Sequence, residues 1–184
     1  MGESPTGTTV SEIMTAADIG RALRRIGHEI VERHPSLTDL VVVGIHTRGA
    51  HMADRIGSLI AEFSGSAVPV GHLDIGQHRD DSSIRPVRSQ RPTTVPVPID
   101  DLSVIVVDDV LYTGRTVRAA MDALVELGRA RETELAVLID RGHRQLPIRP
   151  DYVGKNIPTS HQDHVAVRLA EEDGLDTVAI EMRL

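Results

Sequence analysis

A mostly parallel α/β sheet flanked by helices is the fold class that the sequence predicts, and three observations carry it. Residues 40–45, 104–107 and 135–139 are apolar runs without polar alternation, as expected of strands buried on both faces. Helical apolar patterns lie between them, which implies parallel neighbours joined by right-handed crossovers. Each run ends in a cluster of polar or small residues, and ligands of open α/β sheets bind beyond the carboxyl ends of strands.

The elements follow in order. Residues 1–14 are rich in Gly, Ser and Thr and read as a loose N-terminal arm. Thr15 and Asp18 make a capping-box-like start to a helix that runs to about Arg33 and is ended by Pro35. Ile19, Leu23, Ile26 and Ile30 fall on one side of it; Arg21, Arg24, Arg25 and His28 fall on the other. The strand at 40–45 leads through His46-Thr47-Arg48-Gly49 into a helix over 50–63, with Met52, Ile56, Leu59 and Ile60 inward. A second strand is expected over 68–75. Residues 76–98 carry Arg79, Asp80, Asp81, Arg85, Arg88, Arg91 and four prolines, the mark of a long functional or mobile loop. The strand 104–107 meets Asp108 and Asp109 at its end, and a helix over 115–127 follows with Val117, Met121 and Leu124 as its apolar stripe. The strand 135–139 ends at Asp140, and short strands at 152–153, 165–169 and 177–182 complete a small C-terminal hood over 140–184. Residues 15–184 read as one domain, large enough for a substantial core.

Composition excludes several classes. With no cysteine there is no disulfide, thiol nucleophile or cysteine zinc site. No apolar run reaches membrane-spanning length and residues 1–14 lack a signal-peptide core, so a cytoplasmic location away from membranes is expected. Net charge is −7, so the chain as a whole is no general binder of nucleic acid. Aromatics number three, Phe63, Tyr112 and Tyr152, too few for a base-stacking platform. Lys155 is the only lysine among 20 basic residues, which fits a composition bias of the source and also singles Lys155 out.

Residues 104–116, Val-Ile-Val-Val-Asp-Asp-Val-Leu-Tyr-Thr-Gly-Arg-Thr, are the most informative stretch. Ionised Asp108 and Asp109 are acceptors only, suited to two neighbouring ribose hydroxyls and to a shared Mg²⁺. Thr113, Gly114 and Thr116 can wrap a phosphate, with the next helix N-terminus favouring the anion. A solvated strand end followed by an ordinary turn is the plainer alternative for either half alone. No Gly-Lys-Ser/Thr or Gly-x-Gly-x-x-Gly follows the strand, against a P-loop or dinucleotide site. In the second constellation Arg48 can pair with a pyrophosphate and Gly49 lets backbone N–H groups face it, although a plain strand-to-helix turn also fits the tripeptide.

The stretch resembles the phosphoribosyl pyrophosphate (PRPP) signature of type I phosphoribosyltransferases. With Leu111 and Tyr112 inside it, it is most similar to the PyrR family of bifunctional pyrimidine regulators and uracil phosphoribosyltransferases. The block 140–160, Asp-Arg-Gly-His-Arg-Gln-Leu-Pro-Ile-Arg-Pro-Asp-Tyr-Val-Gly-Lys-Asn-Ile-Pro-Thr-Ser, matches the PyrR pattern almost throughout, with Gln145 and Pro150 departing from its usual Glu and Ala. The likeness covers about residues 14–182 and implies the type I phosphoribosyltransferase fold with hood and lid. It implies that Val107, Asp108, Asp109, Val110, Leu111, Tyr112, Thr113, Gly114, Arg115 and Thr116 bind PRPP or a nucleotide, and that Thr47, Arg48 and Gly49 form a pyrophosphate loop that often holds a non-proline cis peptide. A flexible lid falls on 76–98, with Arg79 reaching pyrophosphate on closure; the family usually has tyrosine where His78 stands and an aliphatic residue at Gln77. Arg85, Arg88 and Arg91 are read as solvated.

The implied reaction is uracil plus PRPP giving UMP and pyrophosphate, with Mg²⁺ as cofactor. Asp108, Asp109, Arg48 and Arg79 would carry it, and Asp140, Arg141 and His143 would border the base. The resemblance also implies a regulator that senses UMP or UTP, binds leader mRNA of a pyrimidine operon and promotes attenuation. Arg24, His28, Arg144, Arg149 and Lys155 match positions of the family's basic RNA surface. Against that, Asp18, Glu29 and Glu32 are spaced to neutralise Arg21, Arg25 and His28, and a phosphoribosyltransferase without RNA binding is the alternative. A homodimer or homotetramer is implied as well.

Overall fold

A computed structural model describes residues 8–78 and 91–183. In chain order it holds β1 (Thr8–Thr15), α1 (Ala16–Arg33), a 3₁₀ turn (Leu37–Asp39), β2 (Leu40–Ile45), α2 (Arg48–Ser64), β3 (Val70–Leu73) and β4 (Ser103–Leu111). Then come α3 (Arg115–Leu127), β5 (Glu132–Asp140), β6 (Tyr152–Asn156), β7 (His164–Arg168), α4 (Ala170–Asp173) and β8 (Thr177–Arg183). Five strands form a wholly parallel sheet in the order β3-β2-β4-β5-β6. Because β3 lies to one side of β2 and all later strands to the other, the strand order reverses between β2 and β4. That is the topological switch point at which such sheets open a crevice.

The absence of polar alternation in the strands has a direct cause. Ile105 and Val107 of β4 face one core, with Ile19, Ile26 and Ile30 of α1 and Met52, Ile56 and Ile60 of α2. Val104 and Val106 face a second core with Val117, Ala120 and Leu124 of α3. Helices cover both faces, so successive residues must all be apolar. At α1 the expected capping box is present: Thr15 N–H donates to Asp18 Oδ2 at 2.9 Å and Asp18 N–H donates to Thr15 Oγ1 at 3.3 Å. The Thr15 hydroxyl, its amide and then Arg21 bring the Asp18 carboxyl down to about 2. A cap contributes about 1 kcal/mol and each buried isoleucine about 1.5–3 kcal/mol, so the apolar stripe holds the helix and the cap sets where it begins. Its far end is tied by Glu134, which accepts from Tyr152 Oη at 2.6 Å and contacts His34 Nε2 at 2.9 Å. Arg33 Nε lies 2.8 Å from Glu134 Oε1, off the line of a hydrogen bond, so that contact is electrostatic.

The structure departs from the sequence reading at three elements. Residues 8–14 are not a loose arm: they form β1, paired antiparallel with β8 from Thr8↔Arg183 to Thr15↔Thr177. The hood sheet therefore has the order β1-β8-β7 and draws on both ends of the chain. Asp108 and Asp109 do not end their strand, which runs on to Leu111. Met121, expected in the stripe of α3, is 47% exposed, beside Val125 at 77% and Leu127 at 40%. The expectations for Arg79, Asp80, Asp81, Arg85 and Arg88 lie outside the described residues.

Two glycines test the helix packing in opposite directions. A Cβ at the exposed Gly20 of α1 meets nothing within 4 Å, whereas one at Gly57 of α2 would fall 2.4 Å from Val70 Cγ2. In urea unfolding, Gly20→Ala should stabilise by about 0.5–1 kcal/mol, and Gly57→Ala should destabilise by about 1–3 kcal/mol.

Candidate active site

Two loops meet at the switch point. The first leaves β2 as His46-Thr47-Arg48-Gly49, with its chain placed by His46 N–H donating to Leu73 O at 3.0 Å. The His46–Thr47 peptide is cis. A Cβ at Gly44 would lie 2.3 Å from Gly49 O, and one at Gly49 would lie 2.4 Å from Val107 O. Only glycines let this loop fold back onto β2 and lie directly on the backbone of β4.

The second loop carries the acid pair. Asp108 is buried, 6% exposed, and its Oδ1 accepts the Asp109 amide at 3.0 Å. Asp109 Oδ1 accepts the Val110 amide at 2.8 Å. Asp109 keeps some surface open to solvent, yet the protein packed around its carboxyl pushes the pKa up, against the opposing pull of the Val110 amide and Arg48. Gly114 adopts φ 93° as the N-cap of α3, and a Cβ there would meet Ile148 and Leu146 within 3.4 Å. Thr113 and Thr116 are partly open around it, and Arg115 is exposed with its Nε on Gln145 Oε1 at 3.0 Å. Val107 and Leu111 are 1% exposed, so only their backbones can serve a ligand; Val110 is partly buried. Among the described residues no group of three or more His, Cys, Asp or Glu is arranged to hold a metal. The two hard carboxylates fit a Mg²⁺ that brings most of its oxygen ligands with a phosphorylated substrate.

The block after β5 is knitted to this loop. Gln145 and Leu146 amides donate to Thr113 O at 3.0 and 3.2 Å, and the Arg141 amide donates to Leu111 O at 3.1 Å. Arg144 is turned inward: its guanidinium reaches Asp140 Oδ2 at 2.5 Å, Tyr112 O at 2.9 Å and Ile148 O at 3.1 Å. Arg141 is 6% exposed, donates to Thr159 Oγ1 and Ser160 O, and lies 4.1 Å from the centre of the Tyr112 ring. No carboxylate among the described residues pairs with it. His143, at φ 61°, contacts Thr159 O at 2.6 Å and stands against His161. Arg141, His143 and Tyr112 are thus brought together beside the loop, while Asp140 is committed to Arg144 and to the Gly142 amide.

The remaining candidates sit apart. Arg24 pairs with Glu62 at 3.0 Å and lies over Phe63, on which His28 stacks with centroids 3.6 Å apart. Arg25 donates to Val153 O and Gly154 O at 2.7 Å, which brings this helix face beside Lys155, whose Nζ donates to Ile13 O at 2.9 Å. Arg149 is exposed and no described residue pairs with it. Arg91 is not simply solvated but pairs with Glu172 at 2.8 Å.

Sequence reasoning missed the partners from the hood. Arg48 is held by Asp173, Nη2–Oδ1 2.9 Å, across 125 residues of sequence. The run Glu171-Glu172-Asp173 is visible in the sequence, but nothing local ties it to Arg48. His46 Nε2 contacts Pro92 O at 3.4 Å, and its buried Nδ1 has no partner among the described residues.

Comparisons with known proteins identify the family and the fold. The phosphoribosyl transferase domain family matches residues 9–172. A bifunctional protein PyrR of Chloroflexus aurantiacus is 55% identical over 170 residues, 92% of this chain and 93% of the relative. One from Mycobacterium tuberculosis is 50% identical over 187 residues, covering 97% of each. In fold, the chain is similar to a hypoxanthine phosphoribosyltransferase of Trypanosoma cruzi solved with the product IMP, at TM-score 0.70, 15% identity and coverage of 99% and 94%. A Staphylococcus aureus hypoxanthine phosphoribosyltransferase gives 0.68, 20% identity and coverage of 95% and 92%.

Burial of Asp109 sets a pH dependence. A carboxyl whose folded pKa is raised above its ordinary 3.8 costs the fold nothing at acid pH, where both states are protonated. That cost sets in as pH rises past the ordinary value, where the unfolded carboxyl ionises, and is complete once pH has passed the folded value. Asp109→Asn should therefore melt higher than the parent near pH 8, with the gap closing towards pH 3, in thermal scans of the ligand-free protein.

Proposed function

Since the chain belongs to the phosphoribosyl transferase domain family and, within it, to the bifunctional PyrR proteins, we propose that it transfers the phosphoribosyl group of PRPP to uracil and also binds RNA as a nucleotide-responsive regulator. Phosphoribosyl transfer itself follows from the family. Uracil, UMP, UTP and the leader mRNA of a pyrimidine operon are the finer reading. The observation that carries it is the acid pair of β4 laid against the loop after β2 and knitted to the block 140–148.

In the reaction a uracil nitrogen bonds to the anomeric carbon as the bond from that carbon to pyrophosphate breaks, and the nitrogen's proton is lost. Positive charge grows on the ribose and negative charge on the leaving group. Asp108 and Asp109 accept from the ribose hydroxyls and favour the positive charge on the ring. Thr113, Gly114, Thr116 and the start of α3 receive the 5′-phosphate. Thr47, Arg48 and Gly49 face the pyrophosphate, and Arg79 is assigned to it as part of the lid. Mg²⁺, when bound, supplies charge neutralisation on the pyrophosphate, with Asp108 and Asp109 as its protein-side oxygens. Arg141, Asp140 and His143 border the base.

For RNA the physical argument is one of magnitude. The exposed Arg24–Glu62 pair is worth about 0–1 kcal/mol, so a phosphate can replace Glu62 with little loss. Arg24, Arg149 and Lys155 remain available as a cationic face with His28 beside Arg24, whereas Arg144 would have to abandon Asp140 and several carbonyls. Its assigned part in RNA binding is to hold the loop that displays Arg149. UMP or UTP in the PRPP pocket would act on that same loop, which is how one site can serve both activities. A homodimer or homotetramer, measurable by light scattering, belongs to the same reading.

Purified protein given uracil, PRPP and Mg²⁺ should form UMP, and Asp108→Asn or Asp109→Asn should lower kcat/KM by about a hundredfold or more. Unchanged turnover in both variants removes the pocket assignment. In filter binding to leader RNA, Arg149→Ala should flatten the salt slope by about 0.7–1 with UMP synthesis intact. Arg144→Ala should instead impair both activities.

A further inference from the structure

The hood meets the loops of the site through one acidic turn. Glu171, Glu172, Asp173 and Asp176 each take a cation, and the cations come from different places. Arg55, two turns into α2, holds Glu171 and Asp176 with four contacts of 2.6–2.8 Å. Glu172 receives His51 of α2 and Arg91 of the 76–98 loop, each at 2.8 Å. Asp173 receives Arg48, the first residue of α2 and part of the loop after β2.

The Arg48–Asp173 contact is specific in its edges. Nη2 donates to Oδ1 at 2.9 Å and to Oδ2 at 3.1 Å, and Nε donates to Oδ2 at 3.3 Å. Asp173 is itself fixed, because the Leu169 amide donates to the same Oδ2 at 2.9 Å. Burial works to raise the Asp173 carboxyl, but that amide and Arg48 outweigh it and hold it below its ordinary range, so it stays charged. Nη1 of Arg48 has no partner among the described residues. The guanidinium is close enough to Asp109 to act on its charge.

We propose that Asp173 is a positioning residue for phosphoribosyl transfer: by holding the Nε–Nη2 edge of Arg48 it orients the guanidinium so that Nη1 meets the pyrophosphate of PRPP. This rests on the pocket reading given under Proposed function. An arginine held in advance loses less freedom when the substrate arrives, so the gain appears in PRPP binding. Glu171, which only anchors Arg55, carries no such role and serves as the contrast.

Asp173→Asn keeps an acceptor for the Leu169 amide and removes the charged fork. Its KM for PRPP should rise about tenfold while the KM for uracil and the melting temperature change little. Calorimetric binding of inorganic pyrophosphate with Mg²⁺ should weaken by the same factor. Arg48→Lys keeps the charge and loses the fork, so it should raise the KM for PRPP alike, and adding Asp173→Asn to it should cost nothing more. Glu171→Gln should lower the melting temperature and leave the KM for PRPP unchanged. An Asp173→Asn enzyme with the parental KM, a KM that falls because Asp173 had been competing for Arg48, or a full additional loss in the Arg48→Lys background each overturns the proposal. A parent protein that neither makes UMP nor binds pyrophosphate instead overturns the pocket reading beneath it.

Discussion

Two backbones touch where the chain leaves β2 and passes over β4, and the site depends on there being no side chain between them. Gly49 lies against the Val107 carbonyl so closely that a methyl group would overlap it, and Gly44 makes the same allowance for Gly49. That contact is possible only at the switch point, where the neighbouring strands hand the chain off in opposite directions. It sets the separation between the loop after β2 and the acid pair Asp108 and Asp109. The hood, the block after β5 and the acidic turn all dock onto loops whose spacing is already determined there.

What was legible in the sequence was whatever is decided locally or by burial on two faces. The capping box of Thr15 and Asp18, the bounds of β2 and α3, and the strand character of 104–107 follow from short-range pattern, and the structure has them all. Polar residues after strands pointed to the two loops, and the motif resemblance told them apart from ordinary turns. What was illegible depended on distant partners. The segment before Thr15 has no strand pattern strong enough to stand alone, and it becomes a strand because β8 offers it an edge. Met121 keeps helical spacing with Val117 and Leu124 but lies at the margin of the stripe, where periodicity cannot tell core from rim. Arg144 looks like any basic residue until Asp140 and the carbonyls of Leu111, Tyr112 and Ile148 are seen around it.

Electrostatics divides the arginines by depth. Arg21 and Arg24 hold exposed partners in water, where an ion pair is weak and exchangeable. Arg55, Arg144 and Arg48 are partly enclosed and meet carboxylates through forks or several bonds, which fixes geometry as well as charge. Arg141 stands further in, with a tyrosine face and neutral oxygens in place of a counter-ion. Although the chain carries a net charge of −7, its enclosed acids serve to hold particular arginines still.

The pairing of β1 with β8 has a bearing on how the molecule is made. The Thr177 hydroxyl donates to Met14 O across 163 residues of sequence. As the chain leaves the ribosome, β1 emerges early and has no edge to join until β8 follows, long after β2, β4 and the loops between them can collapse. Closing so long a loop adds little to the thermodynamic cost, since that cost grows only with the logarithm of length. It does place the hood sheet among the late events of folding. A nascent chain would thus have β4 and its acid pair in place before the hood sheet closed, and translation pausing shortly before β8 would leave β1 and β7 without the strand that pairs with both.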